Sequence, residues 1–479
     1  MALDAAGRVV EPESKTLEYK QDLSSPDKVM ESIVAFANSA GGKLIVGVAD
    51  DGMVVGVTNP LLEEERLANL ISDTVRPQLL PTIELVPVGG VTVLVAEVYL
   101  GAQRPYYLTR LGRQRGVYIR VGSSDRLAGP GMVAELARDS QGIAFDRLPA
   151  PGAKLADLDR AMLTDLLKHD MSDQALQTLS LITEDQGQLV PTNAGVLIGA
   201  QHPEMYHPHA WVQCARFRGD SKRNITDQAR IYGPLPRAVD ATMDFLKHNA
   251  FLRAEFGEIQ RQDAYSIPIT PLRELVVNAL VHSSYADHGT PIKIAFYDES
   301  IVIESPGGLV PGLTVEKILS GTSVIRNPTL ARVFAELGYI EQWGTGLPKA
   351  MEAVLAAGLP PFEIVEGHER LVITIHIENH DPAKHKDSHK DHQDSHKDDN
   401  PLGTRGGTIL AALASGPLSR TALFSSIGLH NDHRTFTRHI APLIEAGLVT
   451  MTDPDRPTMR DQRYRLTDAG RAILADQRR

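Results

Sequence analysis

Residues 13–57, ESKTLEYKQDLSSPDKVMESIVAFANSAGGKLIVGVADDGMVVGV, spell out a fixed order of elements: extended segment, helix, hairpin. Leu17–Lys20 is short and extended. Ser25 offers an oxygen as N-cap, Pro26 fits the first helical position, and Asp27 suits the positive end of the helix. Val29, Ile33, Val34, Phe36 and Ala37 recur at helical spacing and predict one apolar face. The run 38–42, Asn-Ser-Ala-Gly-Gly, stops the helix with residues that tolerate left-handed backbone. Lys43–Val48 reads as a buried strand, Asp50-Asp51-Gly52 as a tight turn, and Met53–Val57 as the return strand. A chain that opens this way is committed to a mixed α/β front.

At 479 residues there is too much chain for one core, and the length prior gives about three domains. A hydrophobic share of 42% with no long apolar run fits a soluble globular protein and gives no membrane partner. The start, Met1-Ala2-Leu3-Asp4, lacks the basic and apolar pattern of a secretory leader. One cysteine, Cys214, excludes an intrachain disulfide and is compatible with a reducing cytoplasm, the expected location. The net charge of −11 argues against a surface basic all over, but leaves room for local basic faces.

The front blocks carry a resemblance. Glu13-Ser14, Leu17-Glu18-Tyr19-Lys20, Ala35-Phe36-Ala37-Asn38, Gly41-Gly42, the run 47–52 and the run 117–124 resemble the Schlafen-like AlbA-type domain in order and spacing. The resemblance implies an α+β nucleic-acid-binding domain over residues 1–148. Between residues 104 and 126 six arginines face one acid, Asp125, with tyrosines interleaved. Arginine suits phosphate and tyrosine rings stack on unpaired bases, so Arg104, Arg110, Arg113, Arg115 and Arg120 are candidate contacts.

Residues 149–376 read as a linker region followed by a second α/β unit. Leu155–His169 predicts a helix, residues 189–198 turn into a strand, 214–219 end another strand, and Gly233–Asn249 is an amphipathic helix. From Pro271 a helix places Glu274, Asn278 and His282 on one face, followed by strands at 292–296 and 300–304. With the glycine turns at 305–309 and 344–348, this is similar to a divergent ATP-binding domain of the gyrase, histidine-kinase and MutL (GHKL) type, an α/β sandwich. The resemblance makes Asn278 a magnesium residue and Glu274 a base that activates water. Gly307, Gly308, Gly344 and Gly346 become the phosphate loops of an ATP site. The usual Asp-x-Gly-x-Gly element is replaced here by Glu304-Ser305-Pro306-Gly307-Gly308. No GxxxxGK[ST] loop occurs, which removes the helicase half of the RecG-like label borne by proteins of this plan.

Residues 377–402 repeat His-Lys-Asp and hold almost no apolar side chain, so they read as a flexible spacer. His385, His389, His392 and His396 would share a face only if this segment were helical. Residues 403–479 predict a winged helix-turn-helix with eleven basic against seven acidic residues. Arg434 and Arg438 on its third helix are candidate DNA contacts.

Two functional classes follow. One is a nucleotide-responsive DNA-binding transcriptional regulator, expected to self-associate so as to match repeated half-sites. The other is a metal-dependent endoribonuclease acting on transfer RNA or other structured RNA. It is implied by Glu13, Glu18 and Asp50 at the spacing of Schlafen nucleases, with Mg²⁺ or Mn²⁺ held by the three carboxylates and Lys20 neutralising phosphate.

Overall fold

The computed structural model describes the backbone of residues 2–250, 252–256, 261–265, 267–286, 289–340, 346–377, 409–414, 416–426, 440, 443–444, 446–452 and 463–476. The chain divides into two compact units, Met1–Pro382 and Ala383–Arg479. Several small sheets and one larger one make it a mixed α/β multidomain protein.

The first sheet has four strands in the order Leu17–Lys20, Gly42–Val46, Val91–Val98, Thr82–Val88. The first pair is parallel, with Leu17 opposite Lys43, and helix Pro26–Asn38 makes the crossover. Val29, Ile33, Val34, Phe36 and Ala37 are all fully buried, as their spacing predicts. Ser25 stands at the N-cap but makes no side-chain cap bond, so Pro26 and Asp27 start the helix without it. Gly41 leaves the helix at φ +74°, a left-handed step open to glycine. The predicted return strand 53–57 is reduced to two isolated bridges, Val48 to Val54 and Arg8 to Met53, because strand Val91–Val98 already occupies the edge of Gly42–Val46.

A second sheet of six strands forms the centre. Its order is Ile225–Ile231, Val212–Phe217, Ile292–Phe296, Ser300–Pro306, Arg370–His376, Glu363–Gly367. Only Val212–Phe217 and Ile292–Phe296 run parallel. Helices Leu235–Asn249, Ile269–His282, Pro328–Glu336 and Gly346–Ala356 share one core with this sheet. Cys214 lies fully buried in that core, and burial pushes its thiol up to about 12.

Residues 193–198 are a helix, Asn193–Gly199, and not the continuing strand expected of them. Thr192 caps it by accepting from the Gly195 amide at 3.0 Å. Every residue of the helix is buried, so no polar face marks a helical period in the sequence.

The second unit shows helix Arg420–Ser426, strands Leu418–Ser419, Arg463–Leu466 and Val449–Met451 in that antiparallel order, and helix Asp468–Asp476. Ser419 accepts from the Ala422 amide at 3.2 Å and so caps helix Arg420–Ser426. Arg434, Arg438 and the histidine spacer lie outside the described residues.

Asp146 is fully buried and caps helix Pro328–Glu336, accepting from the amides of Thr329 and Leu330 at 2.7 and 3.1 Å. Desolvation outweighs those bonds and raises its carboxyl to about 6. His282 is held down to about 4, first by burial and then by Arg326. The two groups pull stability in opposite directions over one pH window. Asp146 makes the native state hold the extra proton from 3.8 to about 6, so its contribution is lost as pH rises. His282 makes the unfolded state hold the extra proton from about 4 to 6.5, so its contribution is lost as pH falls. Asp146→Asn keeps a capping oxygen and removes the first slope. Urea unfolding of that variant between the two pKa values is expected to lose more stability on acidification than wild type, by up to about 1.4 kcal/mol per pH unit. Equal slopes in the two proteins would refute this.

Candidate nucleotide cavity and nucleic-acid face

Helix Ile269–His282, the sheet and the segment 307–326 enclose a cavity of about 700 Å³, within the range of small-molecule sites. Glu274, Asn278 and His282 all line it, as their four-residue spacing predicts. Gly307, Gly308 and Gly346 line it too, which brings together every predicted cofactor residue except Gly344, which lies outside the described residues. Gly346 is the first residue of a helix, not part of a loop. A Cβ there would stand 1.9 Å from Glu274 Oε1, so any larger residue would have to turn the Glu274 carboxylate away.

Asn278 donates its amide hydrogens to the Glu274 carbonyl at 2.9 Å and to Glu274 Oε1 at 3.0 Å. Its side-chain oxygen takes no hydrogen bond among the described residues. That hard oxygen donor fits a magnesium ion carried in on a triphosphate. Strand alternation presents Ile303 and Ser305 to the cavity. Glu304 lies on the other face, 3.9 Å from Lys293 and 3.4 Å from Arg370. The strand therefore offers the cavity a neutral hydroxyl and no carboxylate.

Sequence reasoning missed the groups that shape the glycine turn. Gly307 sits at φ +91°, and a Cβ on it would meet Arg326 Nη1 at 2.1 Å. Arg326 donates to Glu135 Oε1 at 2.9 Å, to the His282 carbonyl at 2.9 Å and to the Gly308 carbonyl at 2.8 Å. Asn327 closes helix Ile269–His282 by donating to the carbonyls of Val281 and Ser283, each at 2.8 Å. The pair Asn327-Pro328 is a helix-start signal, and it was the only local hint that Arg326 precedes a fixed element.

In the N-terminal module Asn38 organises the arginine-bearing segment. It donates to the carbonyls of Tyr106 and Tyr118, both at 2.9 Å, and accepts from the Tyr106 amide at 2.8 Å. Arg110, Arg113, Arg115 and Arg126 are exposed there. Arg110 is 3.0 Å from Asp27, and Arg113, Arg115 and Arg126 have no ion pair among the described residues. Arg104 is mostly enclosed and pairs with Asp139.

Arg120 lies in the interior with only 2% of its surface exposed. Its guanidinium reaches the Ser14 carbonyl at 3.1 Å, the Leu17 carbonyl at 3.1 Å, Asp125 at 2.9 Å and Glu18, and it stacks 5.1 Å over Phe36. Glu18, 6% exposed, is held between Arg120 and Lys20. Glu13 and Asp50 are exposed, and Glu13 accepts the Tyr19 amide at 3.0 Å. Among the described residues no three acidic, histidine or cysteine side chains are grouped so as to hold a metal, so Glu13, Glu18 and Asp50 do not converge as one.

Residues 13–129 match the family model "Schlafen, AlbA_2". Residues 289–375 match "Putative ATP-dependent DNA helicase recG C-terminal". Residues 407–467 match "Filamentation induced by cAMP protein Fic-like, C-terminal domain". The class is thus a multidomain protein pairing a Schlafen AlbA-type domain with an ATPase-like domain, both of nucleic-acid-related kinds.

Among solved structures, the N-terminal domain of a RecG-related protein of Nitrosomonas europaea is 30% identical over 24% of this chain and 84% of that one, at a TM-score of 0.19. The DIP2311 protein of Corynebacterium diphtheriae is 19% identical over 98% of this chain and 96% of that one, at a TM-score of 0.42. The chain thus carries a Schlafen AlbA_2-type domain at its front and a RecG C-terminal-like, ATPase-type domain in its centre. No helix among the described residues is long and apolar enough to cross a membrane.

The enclosed charge network around Arg120 makes a direct prediction. Glu18→Ala leaves a buried guanidinium short of one carboxylate, which costs about 3–5 kcal/mol in comparable cases. Urea unfolding of residues 1–382 is expected to show that loss. A change below about 1 kcal/mol would mean that the pair is not buried as described.

Proposed function

We propose that the protein is a nucleic-acid-binding, nucleotide-responsive transcriptional regulator. The observation that carries this reading is the cavity in which Glu274, Asn278, Gly307, Gly308 and Gly346 meet. Its volume suits a nucleoside triphosphate, and Asn278 presents an amide oxygen without a hydrogen bond among the described residues for the accompanying Mg²⁺. Glu274 is the candidate base for slow ATP hydrolysis, although its engagement with Asn278 suits positioning as well. The nucleic-acid side is supported by the AlbA-type family match and by the exposed arginines at 110, 113, 115 and 126.

In this reading residues 1–148 grip nucleic acid, 149–376 bind nucleotide, 377–402 tether, and 403–479 form a winged helix-turn-helix that reads DNA. The three antiparallel strands and the capped helix Arg420–Ser426 suit that last assignment. The protein works as a homo-oligomer in the cytoplasm. The endoribonuclease reading draws less support, because Glu18 is tied to Arg120 and Lys20 and is not turned toward Glu13 and Asp50 as a metal site. Transfer RNA incubated with the protein and Mn²⁺ is expected to stay intact.

Fluorescence anisotropy with a labelled duplex tests the regulator. Arg113→Ala with Arg115→Ala is expected to weaken binding at low salt and to reduce the magnitude of the log–log salt slope by about 1.8, two phosphate contacts at about 0.9 each. Asn278→Ala is expected to abolish binding of the Mg²⁺ complex of AMP-PNP. A wild-type protein that binds neither duplex nor folded RNA at low ionic strength would falsify the proposal, as would cleavage of transfer RNA that disappears in both Glu18→Ala and Asp50→Ala.

A further inference from the structure

The turn that closes the cavity is held from behind. Glu366 accepts the Leu309 amide at 3.0 Å. Lys15 donates to both Glu366 oxygens, at 2.7 and 2.6 Å, and this pair is about nine-tenths enclosed. Gly308 and Leu309 line the cavity, but Glu366 does not. It sits in the seam with Lys15, Ser39 and Arg120 of the N-terminal module. Arg326 does line the cavity, and its Nε is taken by Glu135 on helix Pro130–Ser140 of that module. A third tie joins the Gly312 amide to the Ser39 carbonyl at 2.6 Å.

A phosphate group seeks two things from such a wall: backbone N–H donors at a glycine turn and an arginine. Here the Leu309 amide and Arg326 are those groups, and each already holds a carboxylate. A second anion cannot share either donor at hydrogen-bond distance without like-charge repulsion in a poorly solvated seam. One carboxylate, Glu135, belongs to the N-terminal module, and the other, Glu366, is neutralised by that module's Lys15.

We propose that the N-terminal module and a phosphate-bearing ligand compete for the Leu309 amide and Arg326, so that filling the cavity releases the clasp formed by Lys15, Glu366 and Glu135. The inference rests on the nucleotide reading above and adds its regulation. The clasp engages, from outside the cavity, the two donors that a phosphate inside it would use, and its release frees the turn that carries Lys15 and the helix that carries Glu135. Binding then couples in both directions, because a ligand that loosens the module must bind less tightly whenever the module is held in its seat.

Hydrogen–deuterium exchange on the full chain tests this, with the Mg²⁺ complex of AMP-PNP as probe. Saturating AMP-PNP is expected to speed exchange of the amides at 14–20 and 130–140 by about tenfold, within the usual range of coupling factors. Glu366→Gln, which keeps the side chain's shape but weakens the internal anion, is expected to bind AMP-PNP about tenfold more tightly and to show fast exchange at 14–20 without ligand. Asp165→Asn, at an exposed side chain of the same unit, serves as the control and is expected to match wild type. AMP-PNP that binds wild type but leaves both segments unchanged overturns the clasp while leaving the nucleotide reading intact. Failure of wild type and Glu366→Gln alike to bind AMP-PNP overturns the nucleotide reading, and this inference with it.

Discussion

A guanidinium sealed inside a small α/β module sets most of what surrounds it. Arg120 bonds to the carbonyls of Ser14 and Leu17, which lie just before and within the first strand, and to the carboxylates of Glu18 and Asp125. Removing such a charge from water is costly unless each donor finds a partner, and here four partners come from two distant stretches of chain. The interaction therefore fixes the register between the strand at 17–20 and the strand pair at 118–127. Asn38 repeats the logic one turn away, since its amide is satisfied only when the Tyr106 and Tyr118 backbones are in place. The exposed arginines project from a segment anchored by these buried bonds.

Much of this was legible in the chain. Helical spacing identified the buried face of helix Pro26–Asn38 and placed Glu274, Asn278 and His282 on one cavity wall. Period and spacing report on neighbours within an element, and there they succeeded. They failed where the deciding contact joined distant residues. Arg120 reads as one more member of a basic run, and only the fold shows that Arg110, Arg113, Arg115 and Arg126 face solvent while it faces Glu18. Glu18 reads as an available acid for the same reason. Lys15 and Glu366 are 351 positions apart, and nothing local to either marks the other as its partner. The helix Asn193–Gly199 went unseen because an element buried on all sides leaves no polar face to count.

Polar ties cross the seam between the N-terminal module and the central sheet. Lys15–Glu366 and Glu135–Arg326 cross it as ion pairs, and Asp146 crosses it as a helix cap. Polar seams are directional, so they hold one arrangement well and tolerate little sliding. They are also sensitive to any competing charge, whereas a greasy seam would be indifferent to it.

The buried thiol of Cys214 has a practical corollary. It is the single sulfhydryl of the whole chain, and both its enclosure and its raised pKa leave almost no thiolate for an alkylating reagent to attack. The folded protein is in effect a blank canvas for maleimide chemistry. A cysteine introduced on the arginine-bearing surface would take a spectroscopic tag alone, with no need to engineer the native one away.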